Sequence, residues 1–225
     1  MGVLVKCVIF SLFVKSHLFI KVFTTPKMDY DEALSAAFSR FINVSTPVLT
    51  NISSCLWVSL AFEDLGSVWI TENRSKYFMI ELLSKARYLW IGGMSVRFEF
   101  PEDFFIPDQW FFYCFAYNNE NKKLEVYLNS EKIFDNKIEK HLDAFVIDKN
   151  FLQYEKFGMA GIFAGQFTDL NIWSRILKDS EIAKLFKCEV LDKGPDIVDW
   201  KSSQPVPGSK VIVSKERAHP CNENT

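Results

Sequence analysis

Leu124, Val126 and Leu128 alternate with Glu125, Tyr127 and Asn129, a period of two that turns one set inward and the other outward on a half-buried strand. Residues 110–117, just before it, are almost wholly apolar, as expected of a central strand covered on both faces. Asn118-Asn119-Glu120-Asn121 joins the two. Asparagine tolerates left-handed backbone, so this segment predicts a hairpin turn. Asn129-Ser130-Glu131-Lys132 makes the next turn, into Ile133 and Phe134. Short apolar runs predict further strands at 56–62, 67–71, 77–83, 88–91, 96–100, 159–163 and 167–173. Many short strands separated by turn residues predict an antiparallel sandwich.

One helix interrupts the pattern. Asp179 is placed to cap it, Glu181 lies in its first turn, and Ile182, Leu185 and Phe186 recur at i, i+3 and i+4, so a short helix is predicted near 178–187. Beyond Cys188 the chain reads as loop, with Gly194-Pro195, Pro205, Pro207, Gly208 and Pro220 around an apolar run at 211–213. No repeat or linker divides the chain. The expectation is one all-β domain carrying a single helix.

Composition agrees with the pattern and narrows the partners. The 225 residues include 22 Phe, a residue that favours half-buried strands. The 26 Lys and Arg are mixed with 28 Asp and Glu for a net charge of −2, which excludes the basic face that nucleic acid requires. At the N-terminus, residues 1–6 precede an apolar run at 7–14, too short to cross about 30 Å of hydrocarbon. That length suits the core of a secretory signal, with Val14 and Ser16 at the −3 and −1 positions of a cleavage site. Residues 1–16 are therefore expected to be a signal peptide, and the protein secreted, without a membrane span.

Loss of residues 1–16 removes Cys7 and leaves Cys55, Cys114, Cys188 and Cys221, an even set suited to an oxidising compartment. Four cysteines allow three pairings. Asn43-Val44-Ser45, Asn51-Ile52-Ser53 and Asn73-Arg74-Ser75 are three N-glycosylation acceptors, which point the same way. His17, His141 and His219 are scattered and no Cys pair has zinc-ligand spacing, so the pattern offers no structural zinc site. Gly92-Gly93 lacks the continuation of a phosphate loop, and Glu102-Asp103 reads as a solvated loop. Phe104, Phe105, Trp110, Phe111 and Phe112 read as strand core in preference to a sugar- or lipid-stacking platform. The sequence offers no catalytic constellation.

Phe163-Ala164-Gly165-Gln166-Phe167-Thr168-Asp169-Leu170-Asn171-Ile172-Trp173, continuing to Leu177 and Glu181-Ile182, resembles the pentraxin family. That family likewise shows an aromatic, a Gly two residues on, an alternating strand ending in Asn-Met/Ile-Trp, and an acidic start to its helix. Lys21-Val22-Phe23 with Pro26-Lys27, then 51–57, and Ile197-Val198-Asp199-Trp200 look like further motifs of the same family. The resemblance implies a two-sheet, lectin-like jelly-roll sandwich, related to laminin-G domains, over residues 17–201.

The resemblance also implies chemistry. Cys55 would pair with Cys114, leaving Cys188 and Cys221 for a second bridge that ties back a C-terminal tail, 202–225. Such a tail looks like that of the pentraxin-type domains in adhesion G-protein-coupled receptors. Pentraxins bind paired calcium ions, and Asp64, Asp148, Asn150, Gln153 and Glu155 are the oxygen donors nearest to that pattern. Asp64 is followed by Leu65 where the family has Asn, and Lys149 and Lys156 add opposing charge. Calcium needs six to eight oxygens with enough negative charge, so a solvated polar loop is expected there in preference to a calcium site. Phe112-Tyr113-Cys114-Phe115-Ala116-Tyr117 lacks the family's His, Ser/Thr and Trp around this cysteine. The function implied is extracellular recognition without catalysis, of a protein, glycan or phospholipid ligand, in a chain able to form a homo-oligomer. The alternative is an adhesion or receptor-ectodomain module working through protein contacts without calcium.

Overall fold

The computed structural model of the chain describes residues 21–25, 48–60, 67–73, 76–82, 87–91, 94–98, 106, 108–138, 145–146, 158–159, 165–202, 212–215 and 221. The largest sheet has seven strands in the order β10-β9-β8-β3-β13-β1-β14. These are β1 (Lys21–Thr25), β3 (Asn51–Leu60), β8 (Trp110–Asn118), β9 (Lys123–Leu128), β10 (Glu131–Lys137), β13 (Gly165–Trp173) and β14 (Ile212–Lys215). A five-stranded sheet runs β12-β4-β5-β6-β7, from β12 (Gly158–Met159), β4 (Ser67–Asn73), β5 (Lys76–Leu82), β6 (Arg87–Ile91) and β7 (Met94–Phe98). A small pair joins β11 (Phe145–Val146) to β2 (Val48–Leu49). All the paired strands are antiparallel. The architecture is the expected all-β jelly-roll sandwich with one helix, α1 (Asp179–Phe186).

Distant in sequence but neighbours in the sheet, β3 and β8 pair over nine residues, from Asn51 opposite Asn118 to Ser59 opposite Trp110. Residues 111–117 of β8 are all buried, so both of its faces are covered, as the unbroken apolar run required. The pleat sorts the two faces. Ile52, Ser54, Leu56 and Val58 share one face of the seven-stranded sheet with Phe111, Tyr113, Phe115 and Tyr117, and all eight are buried. Ser53, Cys55 and Trp57 share the other with Phe112, Cys114 and Ala116, and α1 lies over that face.

The strand at 124–128 departs from the simple alternation. Of its expected outward set, Glu125 and Asn129 are half-buried and Tyr127 is 1% exposed, because α1 covers this face and Asp179 accepts a hydrogen bond from the phenol. Where the apolar run at 211–213 interrupts the loop-like tail, Ile212–Lys215 forms β14 against β1, with Lys21 opposite Lys215 and Thr24 opposite Ile212. Of the strand expected at 159–163, only Met159 is among the described residues.

Candidate functional site

Among the described residues, the best-defined face is the one of the seven-stranded sheet that carries α1. Ile182 is its fully buried anchor, set among Cys55, Trp57, Phe112, Cys114, Tyr127, Trp173, Leu177 and Leu191. The Phe186 ring stacks on Trp57 with centroids 5.7 Å apart, and Trp57 and Phe112 sit 5.2 Å apart. Such ring pairs add about 0.5–1.5 kcal/mol each beyond simple burial. Beneath the helix, Cys55 and Cys114 face each other across β3 and β8 and are bridged, with Cα atoms 4.2 Å apart. Ser53, itself buried, accepts a 2.9 Å hydrogen bond from the Leu177 amide and so fixes the chain entering the helix.

The helix start is held by Glu181. Its carboxylate takes two hydrogen bonds from the Arg175 guanidinium, at 2.7 and 2.9 Å, and one from the Lys178 amide at 3.0 Å. The Arg175 bonds, aided by the amide and opposed by partial burial, hold the Glu181 carboxyl below the usual carboxylate range. Lys178 is the N-cap and Asp179 the first helical residue, so Asp179 does not cap as its position had implied. Its carboxylate is engaged elsewhere, taking the Tyr127 hydroxyl at 2.8 Å and pairing with Lys132 at 3.2 Å.

These contacts belong to a polar clasp between the β9–β10 hairpin and α1. Glu125 receives both Lys123, at 2.8 Å, and Lys132, at 2.7 Å, while Lys123 also reaches Asp135 at 3.0 Å. The Lys132 ammonium stands 5.3 Å from the centre of the Tyr127 ring. Burial pulls the Lys132 ammonium down, but bonds to Glu125, Tyr127 and Asp179 outweigh it and leave its pKa above the ordinary lysine value. Burial first, then the bond to Asp179, pushes the Tyr127 phenol up as well. Both groups therefore keep their protons near neutral pH, and neither serves as a base or nucleophile there. The cluster ties the β9–β10 hairpin to the start of α1.

Sequence reasoning missed the clasp. In a regular strand Lys132 and Asp135 point to opposite faces. The ladder between β9 and β10 shifts register between Lys132 and Phe134, and this bulge brings both side chains onto the helix face.

The remaining candidates distribute as follows. Cys188 and Cys221 are bridged, with Cα atoms 5.3 Å apart, and link the end of α1 to the tail. Asn51 opens β3 and Asn73 closes β4, opposite Lys76 at the β4–β5 turn. Asn43, the potential calcium donors Asp64, Asp148, Asn150, Gln153 and Glu155, the 1–16 segment and His141 lie outside the described residues. Among the described residues, His, Cys, Asp and Glu form no group of three or more able to hold a metal ion. No helix among them is long and apolar enough to cross a membrane. Of the aromatic cluster, Phe111 and Phe112 are buried in core and Trp110 is half-buried, while Phe104 and Phe105 lie outside the described residues.

The motif 197–200 docks on β13. Ile172 exchanges backbone hydrogen bonds with Val198, the Trp200 amide donates to Asn171 Oδ1 at 3.0 Å, and the Trp200 ring meets Phe167 edge-on at 5.7 Å.

No protein-family model and no curated protein matches the sequence. Among solved structures the chain is similar to a heptameric SAP-like pentraxin from Limulus polyphemus, at TM-score 0.68 and 13% identity, over 90% of this chain and 97% of that one. It is similar to the full extracellular region of zebrafish Gpr126/Adgrg6 at TM-score 0.59 and 17% identity, over 87% of this chain and 26% of that one. A putative carbohydrate-binding protein from Bacteroides ovatus matches at TM-score 0.55 and 14% identity, over 81% of this chain and 61% of that one. The chain has the pentraxin-like fold.

Proposed function

We propose that the protein is a secreted, non-catalytic recognition module that binds a ligand or partner protein through one face of the sandwich. The observation that carries this reading is the likeness to the Limulus pentraxin, which runs through 90% of this chain and nearly all of that one. The likeness to a Bacteroides protein described as carbohydrate-binding supports a binding role, and the likeness to the extracellular region of the zebrafish receptor supports a place outside the cell. Two disulfides support export, because such bonds persist in oxidising compartments. The charged groups under α1 support a scaffold role, being paired with one another, Lys132 with both Glu125 and Asp179 and Lys123 with Glu125.

A second reading, an adhesion or receptor-ectodomain module working through calcium-independent protein contacts, is favoured by the Cys188–Cys221 bridge and the likeness to the zebrafish receptor region. Melting the glycosylated protein, recovered from the medium of secreting cells, with and without millimolar calcium separates the two. A ligand that binds only the folded state must raise its melting temperature. A rise with calcium, together with an oligomeric mass, supports a soluble pentraxin-type binder. An unchanged melting temperature with a monomeric mass supports the adhesion module. Retention in the cytosol with Cys55, Cys114, Cys188 and Cys221 open to alkylation would overturn both.

A further inference from the structure

The helix α1 ends in a Schellman turn. The Cys188 amide donates to the Leu185 carbonyl at 2.9 Å and the Glu189 amide to the Lys184 carbonyl at 2.9 Å, with Lys187 as C-cap. The residue after the C-cap must then be left-handed, and Cys188 has φ 63°. Glycine is the ordinary occupant of that place, because a side chain there is strained. A cysteine at this position gains nothing for the helix. What it gains is the bond to Cys221.

That bond is placed differently from its companion. Cys55 and Cys114 are 1% and 0% exposed, sealed between α1 and the sheet. Cys188 and Cys221 are half-buried, and Lys187, Glu189 and Val190 beside Cys188 are exposed, Val190 at 81%. The tail that the outer bond anchors contributes β14, four residues long, at the end of the sheet, hydrogen-bonded to β1 alone. Among the described residues, this short edge strand is held by its ladder to β1 and by the covalent tie six residues away at Cys221.

We propose that Cys188–Cys221 is a reducible latch that keeps the C-terminal strand on the sheet, and that opening it releases β14 and bares the edge of β1. In the step, one thiolate of a small dithiol attacks a sulfur of the Cys188–Cys221 bond. A mixed disulfide forms and the other protein sulfur leaves as thiolate. The second thiol of the reagent closes its own disulfide and expels the remaining protein sulfur. Two electrons and two protons pass from dithiol to protein, and one disulfide replaces another. The inner bridge is spared because no thiolate reaches it without unfolding. Once β14 leaves, β1 carries a row of open amide and carbonyl groups, the kind of edge to which an extended segment adds.

Treating the oxidised full-length chain with dithiothreitol in native buffer, followed by alkylation and mass mapping, tests the latch. Cys188 and Cys221 are expected to be labelled while Cys55–Cys114 stays closed. Amide exchange at 212–215 and at Val22–Thr24 should quicken by about tenfold or more, with 111–117 unchanged. Opening of both bridges together, or labelling of the outer pair with unchanged exchange at 212–215, overturns the proposal. The variant Cys188→Gly/Cys221→Ser isolates the latch from the helix, since glycine suits the left-handed turn. It should show the quickened exchange without reductant and no further response to dithiothreitol. Exchange at 212–215 as slow as in the oxidised parent would equally overturn the idea.

Discussion

Asp169 is the residue where the fold and the charge balance are at odds. Between Thr168, opposite Trp57, and Asn171, opposite Cys55, β13 holds one residue more than β3, and Asp169 takes up the bulge with φ 52°. Burial pushes its carboxyl up to about 6, against the pull of Lys201. A raised carboxyl stabilises the fold fully below its unfolded value, and that contribution is lost as pH rises through about 6. At neutral pH the buried charge is therefore a cost. Asparagine has the same shape, carries no charge and tolerates left-handed backbone. Asp169→Asn should stabilise the protein by about 2 kcal/mol at pH 7.5, somewhat below the full worth of the pKa rise because the side chain keeps some water. The gain should shrink to nearly nothing by pH 4. Thermal melts of both proteins at the two pH values check this, and an equal gain at each would assign the effect to the backbone instead of the charge.

Among elements, the β9–β10 hairpin shows what governs the sheet's edge. Glu131 pairs with Leu128 across a two-residue loop in which Asn129 and Ser130 have φ 48° and 68°. Both central residues left-handed is the turn whose twist matches paired strands, and Asn-Gly is its preferred filling. Asn129 also pins the hairpin to β8: its amide donates to the Phe112 carbonyl at 2.8 Å and its Oδ1 accepts from the Phe112 amide at 2.9 Å. Ser130→Gly should therefore stabilise by about 0.5 kcal/mol, relief of strain exceeding the added freedom of the unfolded chain. Asn129→Ala should destabilise by about 1–2 kcal/mol, because the Phe112 amide loses its partner. Urea midpoints of the two variants on opposite sides of the parent would bear this out; a destabilised Ser130→Gly would refute it. The hairpin was legible from its turn residues and alternation. The β13 strand was legible too, yet its phase was not: Phe167 and Trp173 are an even number apart but lie on opposite faces, because the extra residue at Asp169 shifts every position after it. Period-two reading cannot see a bulge, and the clasp at Lys132 was hidden for the same reason.

Across the whole molecule, the sequence revealed the class of fold through many short apolar runs, but not which runs lie side by side. Partners β3 and β8 are 59 residues apart at the bridged cysteines, and only pairing geometry brings them together. That separation gives the inner bridge its leverage. Closing so long a loop removes freedom from the unfolded chain worth about 4 kcal/mol in the chain-entropy model. A domain of ordinary stability has only about 5–15 kcal/mol in all. Because β3 and β8 occupy the middle of the seven-stranded sheet, with α1 on one face and the other face buried too, that loss cannot stay local. Cys55→Ala/Cys114→Ala should accordingly lower the melting temperature of the whole domain by about 10 °C in a single transition. Opening the outer bridge should instead leave that transition in place and loosen only the C-terminal strand. Calorimetry on the two bridge variants makes the comparison directly. If removing Cys188–Cys221 cost as much cooperative stability as removing Cys55–Cys114, the tail would be part of the core rather than a strand laid along its edge.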